Sequence, residues 1–299
     1  MKNKKALWIS LLAILAVGLF ILFQTGVFSQ KDPIQITAVM NGDYEIGETT
    51  ALNAINMYID KVNKDGGVNG HPLQLEVAWL GADQDKSPER TAQKIAQDNR
   101  AMIVLGNGYS DPAILMGEIF AENKIPALTS GAGTPAVTEN NDWFFRVINN
   151  NSSQGKFIAE YARAFLGYES AAIIYNENNY GVSLKTAFEK SFEEQGGTIV
   201  ESSAVSNSSE TLDEDIKRII DGYEEVPDMI FLATYRDTGV VAIVHAKELY
   251  PEIPIIISSE AANTSFAGQM AEYLGKRKVD DILDGVYAAS PLIFDVASE

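Results

Sequence analysis

From residue 33 onward, short runs of aliphatic and β-branched residues alternate with longer segments that carry apolar residues at helical spacing. The segment IQITAVM at 34–40 predicts a first strand, and a helical pattern runs from about Thr50 to Asp65, where two glycines end it. The alternating apolar residues of LQLEVAWL predict the next strand, and the same order repeats along the chain. Because parallel strands need crossover helices, this alternation predicts an α/β fold with mostly parallel sheet covered on both faces.

A polar run, NNNSS at 149–153, interrupts the alternation near the middle of the chain. Such a run between a strand pattern and a helix pattern is typical of a linker. A helix, a Gly-Gly pair and a strand follow one another in both halves, as NKDGGVNGHPLQLEV and EEQGGTIVESSAV. We therefore predict two doubly wound lobes, residues 33–148 and 149–299, joined by a hinge at 148–152.

The helix that follows the predicted hinge has apolar residues at helical spacing. This pattern predicts that they lie in the core, and it is more typical of packing against a sheet than of a ligand site. The residues are Phe157, Ile158, Tyr161, Ala162, Phe165 and Leu166.

The chain begins with MKNKK and continues with 18 apolar or small residues, from Ala6 to Phe23. A basic start before a long apolar run predicts that residues 1–30 meet a membrane, either as a cleaved signal peptide or as an uncleaved anchor. Positive charges before such a run stay on the cytoplasmic side. We therefore expect the rest of the chain to be extracytoplasmic, either secreted or held at the membrane by this helix.

The formal net charge is -18, with 41 acidic residues against 23 basic ones. This balance argues against a nucleic-acid partner, because phosphate binding needs a basic surface. The chain has no cysteine, which excludes disulfides and thiolate metal sites. His71 and His245 lie far apart in the sequence, and we expect structural roles for both. These residues predict no metal site, no cofactor and no catalytic triad.

Ligands of open α/β sheets bind beyond the carboxyl ends of the strands, where helix N-termini present N–H groups. In the first half, the loops after strand patterns read GNGYSDP and SGAGTPAVTE. Their hydroxyl and main-chain N–H groups suit a carboxylate or a phosphate, and Pro135 predicts a short helix capped by Thr134. The candidate residues are Ser110, Ser130, Gly131, Ala132, Gly133 and Thr134.

The strand ends of the second half carry a different chemistry. The segment PIIIS predicts a buried strand, and Glu260 follows it closely, while Tyr180 and Tyr235 follow two other strand patterns. A carboxylate with aromatic neighbours suits a cation. An anion site and a cation site that face each other across a cleft predict a zwitterionic ligand, and an α-amino acid carries both charges on one carbon.

Several segments of the chain together resemble one known family. They are INMYIDKVNKDGGVNGHPLQLEV, VLGNGYSDPA, IPALTSGAGTPAVT, FFRVINNNSSQGKFIAEY, AAIIYNENNYG, FLATYRDTG and IIISSEAAN, in the family's order. The chain is thereby similar to the type I periplasmic binding proteins, and among them to the leucine/isoleucine/valine-binding proteins of ABC importers. The resemblance implies two lobes that close on an amino acid, which is then delivered to a transporter permease.

The resemblance also implies which residues of the first lobe bind the ligand. Its carboxylate would contact Ser110, the main chain of Ala132, and Thr134. Ser130 matches the serine that opens the corresponding loop of the family. The loop NGDYEIGETT departs from the family pattern, because it is shorter and leaves Tyr44 without a match.

In the second lobe, the resemblance implies that Glu260 binds the ligand ammonium while Tyr180 and Tyr235 close over the ligand. Arg236 and Asp237 add two charges beside Tyr235, which suit a polar ligand side chain. A branched-chain amino acid and a more polar one therefore both remain open.

Members of this family usually continue through a further crossover that completes the first lobe, so the resemblance implies that the C-terminal part of the fold is missing. Two other functions are open. The chain could be the ligand-binding part of a membrane-anchored sensor for an amino acid or small amide, with its signalling parts beyond Glu299. It could also be an enzyme that uses Glu260 as a general base.

Overall fold

The computed structural model describes residues 31–42, 45–81, 86–106, 108–206, 211–261, 266–275 and 279–290. The predicted membrane-contacting segment at residues 1–30 lies outside these ranges, and so does Tyr44. Within them, no helix has both the length and the apolar character needed to cross a membrane.

A parallel five-stranded sheet forms the first lobe. Its elements are β1 (Ile34–Asn41), α1 (Glu45–Lys64), β2 (Leu73–Leu80), α2 (Pro88–Gln97), β3 (Ala101–Leu105), α3 (Ser110–Glu122), β4 (Ala127–Thr129), a 3-10 turn (Pro135–Val137) and β5 (Phe144–Arg146). The strands lie side by side in the order β2-β1-β3-β4-β5, and all neighbours are parallel. The chain order therefore reverses between β1 and β3.

A second parallel five-stranded sheet forms the other lobe. Its elements are α4 (Asn151–Glu160, extended by a π-helical turn at Tyr161–Phe165), β6 (Ser170–Asn176), α5 (Asn179–Glu194), β7 (Thr198–Val205), α6 (Leu212–Asp221), β8 (Met229–Ala233), α7 (Arg236–Leu249), β9 (Ile255–Ile257), α8 (Phe266–Leu274), α9 (Val279–Leu283) and β10 (Val286–Ala288). The strand order is β10-β9-β8-β6-β7. The expected α/β class, with parallel sheets and alternating helices, is confirmed.

Helices cover both faces of the second sheet because its inner strands are largely apolar. The strand β8, with the sequence MIFLA, is buried at every position, as is typical of an inner parallel strand. On one face, α5 brings Phe188 against Phe231 with ring centroids 4.3 Å apart. On the other face, α6, α7 and α8 contribute apolar residues such as Ile216, Ile243 and Met270. This packing holds the ends of the strands in fixed positions.

The structure corrects part of the core prediction for α4. Ile158 and Ala162 are buried as expected, whereas Phe157 and Phe165 have 62% and 74% of their surface exposed. Tyr161 lies between these two, and the three rings stack in a row. Because residues four apart share one stripe of a helix, the apolar pattern covers both the buried face and this exposed stripe.

Both histidines contact residues of their own lobe. His71 Nδ1 lies 2.8 Å from the carbonyl oxygen of Asp32. His245 Nε2 pairs with the carboxylate of Asp213, and the hydroxyl of Tyr273 donates to the same carboxylate at 2.6 Å. The second set of contacts joins α6, α7 and α8, so it fits the structural role expected for His245.

Candidate functional site

The candidate site residues lie in loops at the carboxyl ends of the strands. Ser110 follows β3, next to the point where the strand order of the first sheet reverses. In the second sheet the order reverses between β6 and β8, and Tyr180 and Tyr235 follow these two strands. Ligands of open α/β sheets bind at such reversal points. The fold therefore places the candidate residues where a ligand cleft is expected.

Ser110 and Thr134 lie together in the first lobe. Both are nearly inaccessible, and the Ser110 hydroxyl oxygen accepts the N–H of Thr134 at 3.3 Å. Ser110 also begins α3, whose N-cap residue, Tyr109, makes no capping bond through its side chain. The N–H groups of a first helical turn carry a partial positive charge. The two hydroxyls and this helix start form an arrangement suited to a carboxylate.

Arg146, which the sequence analysis did not identify, holds the loop that contains Ala132 and Thr134. Its Nη1 donates to the carbonyl oxygens of Ala132 and Thr134 at 3.0 and 2.7 Å, and its Nη2 donates to the hydroxyl of Thr138 at 2.9 Å. Burial lowers the pKa of the guanidinium. Arg146 therefore fixes the loop from within the lobe.

Ala132 and Ser130 differ in their environment. The N–H of Ala132 donates to the hydroxyl of Thr129 at 3.0 Å, so a ligand carboxylate would share this donor with Thr129. Ser130 is exposed at the start of the loop. Of the first-lobe candidates, Ser110 and Thr134 are thus the pair that the structure brings into direct contact.

Tyr180 and Glu260 form the corresponding cluster of the second lobe. Burial raises the pKa of Glu260 to about 7, because its carboxyl group is surrounded by protein although the residue is partly exposed. Tyr180 is 2% exposed, and burial also raises its pKa, with a further contribution from the charge of Glu260. Ser258, Ser259 and the main chain of Glu260 lie close enough to offset part of that shift. The cluster is a poorly solvated place for a negative charge.

Three tyrosine rings connect the two clusters. Tyr180 stacks on Tyr235 with centroids 5.1 Å apart and planes 13° apart. Tyr235 meets Tyr109 edge to face, with centroids 5.3 Å apart. Tyr109 belongs to the first lobe and directly precedes Ser110, so this row of rings crosses from one lobe to the other. Sequence reasoning missed Tyr109, and its place in the loop GNGYSDP was the available signal.

Two polar contacts also cross between the lobes. The main-chain N–H of Asn151 donates to the carbonyl oxygen of Gly133 at 2.8 Å, and its Nδ2 donates to the carbonyl oxygen of Tyr180 at 3.1 Å. The side chain of Asn179 donates to the carboxylate of Asp111. The lobes are thus in contact around the row of tyrosines, and Asn151 ties the first-lobe loop to the base of Tyr180.

Asn176, at the end of β6, positions Tyr235. It is fully buried; its Oδ1 accepts the N–H of Tyr235 at 2.6 Å, and its Nδ2 donates to the hydroxyl of Thr238 at 3.0 Å. A Cβ on Gly181 would lie 2.2 Å from the carbonyl oxygen of Asn176, so that position requires glycine. These contacts keep the loop that carries Tyr235 close to Tyr180.

The chemistry of the two clusters is complementary. The first lobe supplies hydroxyls and a helix N-terminus, and the second supplies a carboxyl group beside stacked rings. Among the described residues, no group of three or more His, Asp or Glu side chains is arranged to hold a metal ion. The arrangement can bind a ligand that carries a negative group at one end and a positive group at the other.

Comparison with known proteins identifies a family whose model matches most of the chain. The family model described as periplasmic binding protein matches residues 35–256. A curated relative, the Leu/Ile/Val-binding protein BraC3 of Rhizobium johnstonii, is 25% identical over 234 residues, which cover 78% of this chain and 62% of the relative. The chain spans less than two thirds of the length of the curated relatives it matches.

Solved structures share the fold. The branched-chain amino acid transporter substrate-binding protein LivJ of Streptococcus pneumoniae, in complex with isoleucine, has a TM-score of 0.74 at 15% identity, covering 89% of this chain and 73% of that one. A solute-binding protein of an ABC transporter from R. palustris, in complex with 4-hydroxybenzoate, has a TM-score of 0.68 at 19% identity, covering 85% and 72%. These likenesses concern the fold, whereas the ligands of the two proteins differ.

Proposed function

Because the chain belongs to the periplasmic binding protein family, we propose that it captures a free amino acid, branched-chain or similar, between its two lobes and delivers it to the permease of an ABC importer. The family consists of solute-binding proteins and not of enzymes, and membership implies an extracytoplasmic location. The segment at residues 1–30 would direct the chain there, or hold it at the membrane.

The observation that carries this proposal is the buried carboxyl group of Glu260 beside Tyr180, joined by the tyrosine row to Ser110 on the other lobe. Burial disfavours the ionised form of a carboxyl group, and a neighbouring cation favours it. A ligand ammonium would be such a cation, and the ligand carboxylate would meet the Ser110 and Thr134 hydroxyls. The aromatic rings would cover the ligand between these two ends.

Closure of the lobes supports the same function. The contacts Tyr109–Tyr235 and Asp111–Asn179 join the lobes beside the proposed ligand position, so they form only when the lobes come together. A ligand that contacts both lobes stabilises this closed arrangement, because those ligand contacts are lost when the lobes separate. The hinge for this movement is proposed at 148–152.

A thermal-shift screen of residues 31–299 tests the proposal. The panel contains the standard amino acids, and 4-hydroxybenzoate, acetamide and glucose serve as comparison ligands of other chemistry. A ligand at 100 times its Kd adds about 2.7 kcal/mol to the free energy of unfolding. We expect one or a few amino acids to raise the Tm and the comparison ligands to leave it unchanged. Stabilisation by 4-hydroxybenzoate and by no amino acid would reject an amino-acid ligand.

A further inference from the structure

Several buried side-chain oxygens of the second lobe make no hydrogen bond of standard geometry with the described residues, and two of these atoms lie in the cluster around Glu260. They are the Tyr180 hydroxyl and the side-chain oxygen Oε1 of Gln154. Gln154 lies in the first turn of α4, and its Nε2 donates to the hydroxyl of Ser259 at 2.8 Å. Ser259 precedes Glu260 and also lies near the Tyr180 hydroxyl. Both atoms therefore belong to the cluster around Glu260.

The cluster around Glu260 is rich in hydrogen-bond acceptors. The oxygen Oε1 of a glutamine only accepts, an ionised Glu260 only accepts, and a tyrosine hydroxyl can do either. Gln154 already uses its donor end on Ser259. Buried polar groups in folded proteins nearly always find partners, so the side-chain oxygen of Gln154 fits a ligand group that donates hydrogen bonds.

We propose that Gln154 is a second acceptor for the cationic end of the ligand, so that Glu260 and Gln154 together take two N–H groups of one primary ammonium. This inference rests on the proposed function and narrows its substrate class. A primary ammonium offers three N–H groups and satisfies both acceptors. A protonated secondary amine still offers two and also satisfies both, whereas a quaternary ammonium offers none, so betaines are excluded although they carry the same positive charge.

A purely structural Gln154 would behave differently. In that case its bond to Ser259 only ties α4 to the loop after β9, and replacing it would weaken every ligand to the same extent. If Oε1 accepts from the ligand, the loss depends on how many N–H groups the ligand carries. Replacing all three N–H groups of the ligand by N-methyl groups therefore separates the two roles.

The test measures Kd by calorimetry for the amino acid that binds most tightly in the panel and for its N,N,N-trimethyl form. The proteins compared are wild type, Gln154→Met, Gln154→Glu and the control Gln195→Met. Gln154→Met has similar size and removes the acceptor, and Gln154→Glu keeps an acceptor at the same place. Gln195 is a partly buried glutamine at the end of α5 that donates to the carbonyl oxygen of Ser191.

For the unmodified amino acid, we expect Gln154→Met to weaken binding about tenfold or more, as for the loss of a hydrogen bond to a charged group. Gln154→Glu and Gln195→Met should stay within about threefold of wild type, on the same scale. Wild type should bind the trimethyl form at least about 100-fold more weakly than the parent, and Gln154→Met should show a smaller ratio.

The outcomes separate this inference from the proposed function. Equal parent-to-trimethyl ratios in wild type and Gln154→Met, with the parent still bound, would overturn the role of Gln154 alone. Loss of binding in Gln154→Glu as large as in Gln154→Met would also overturn it. Failure of wild type to bind any amino acid would overturn both proposals.

Discussion

The ring of Tyr109 in the first lobe meets the ring of Tyr235 in the second lobe edge to face, with centroids 5.3 Å apart. Tyr109 precedes Ser110, and Tyr235 stacks on Tyr180, which lies beside Glu260. A single row of rings therefore has Ser110 of the first lobe at one end and Glu260 of the second lobe at the other.

Removing the ring of Tyr109 should weaken ligand binding, because closure then forms one aromatic contact fewer. An edge-to-face pair contributes about 0.5–1.5 kcal/mol beyond the area it buries. We expect Tyr109→Ala to reduce the binding free energy by at least that amount, measured by calorimetry. Tyr58→Ala is the control, since Tyr58 is 65% exposed on α1. An equal change in both variants would show that the contact does not contribute to binding.

Gly133→Ala should disturb both lobes at once. A Cβ at this position would lie 2.1 Å from Oδ1 of Asn151, whose side chain bonds to the Tyr180 carbonyl oxygen. We expect the free energy of unfolding to fall by about 1–3 kcal/mol, as for overpacking, and the Kd to rise. Gly108→Ala is the matched control, because its Cβ would meet nothing within 4 Å. Denaturant unfolding that finds both variants equally stable would contradict the Asn151 contact.

The candidate residues could be identified from the sequence as those that follow predicted strands, because parallel strands bring their carboxyl ends to one edge of a sheet. The same reasoning could not predict the contacts between the lobes. Tyr109 and Asn151 act through partners in the other half of the chain, and periodicity carries no information on how two lobes meet. Phe157 and Phe165 were assigned to the core because a wide apolar stripe does not reveal which of its edges is covered.

The raised pKa of Glu260 predicts proton release on binding. The carboxyl group is mostly protonated near pH 6 in the ligand-free protein, and a ligand ammonium favours its ionised form. Affinity should therefore rise as the pH increases through about 7 and level off above it. In calorimetry at pH 6, the observed enthalpy should depend on the ionisation enthalpy of the buffer, and at pH 8 it should not. The same buffer dependence in Glu260→Gln would assign the proton to another group.

Folding stability in the absence of ligand should show the opposite trend with pH. The pKa of Glu260 rises from an ordinary value of 4.5 to about 7 on folding, so its neutral form is favoured in the folded state. Its contribution is fully present below about pH 4.5 and is lost as the pH rises through about 7. We expect Glu260→Gln to be more stable than wild type at pH 8, measured by denaturant unfolding without ligand. Glu252→Gln, on an exposed turn, should match wild type. A Glu260→Gln variant less stable at pH 8 would contradict the buried state of this carboxyl group.

We propose that each lobe binds one of the two opposite charges of the ligand. This can be tested with the amino acid that binds most tightly and with its analogue that lacks the α-ammonium. For leucine this analogue is 4-methylpentanoate. Calorimetry on wild type and Glu260→Gln gives four affinities. We predict that wild type prefers the amino acid strongly, and that Glu260→Gln loses about 2–5 kcal/mol for the amino acid but little for the analogue. An equally strong preference for the amino acid in Glu260→Gln would show that Glu260 does not bind the ammonium.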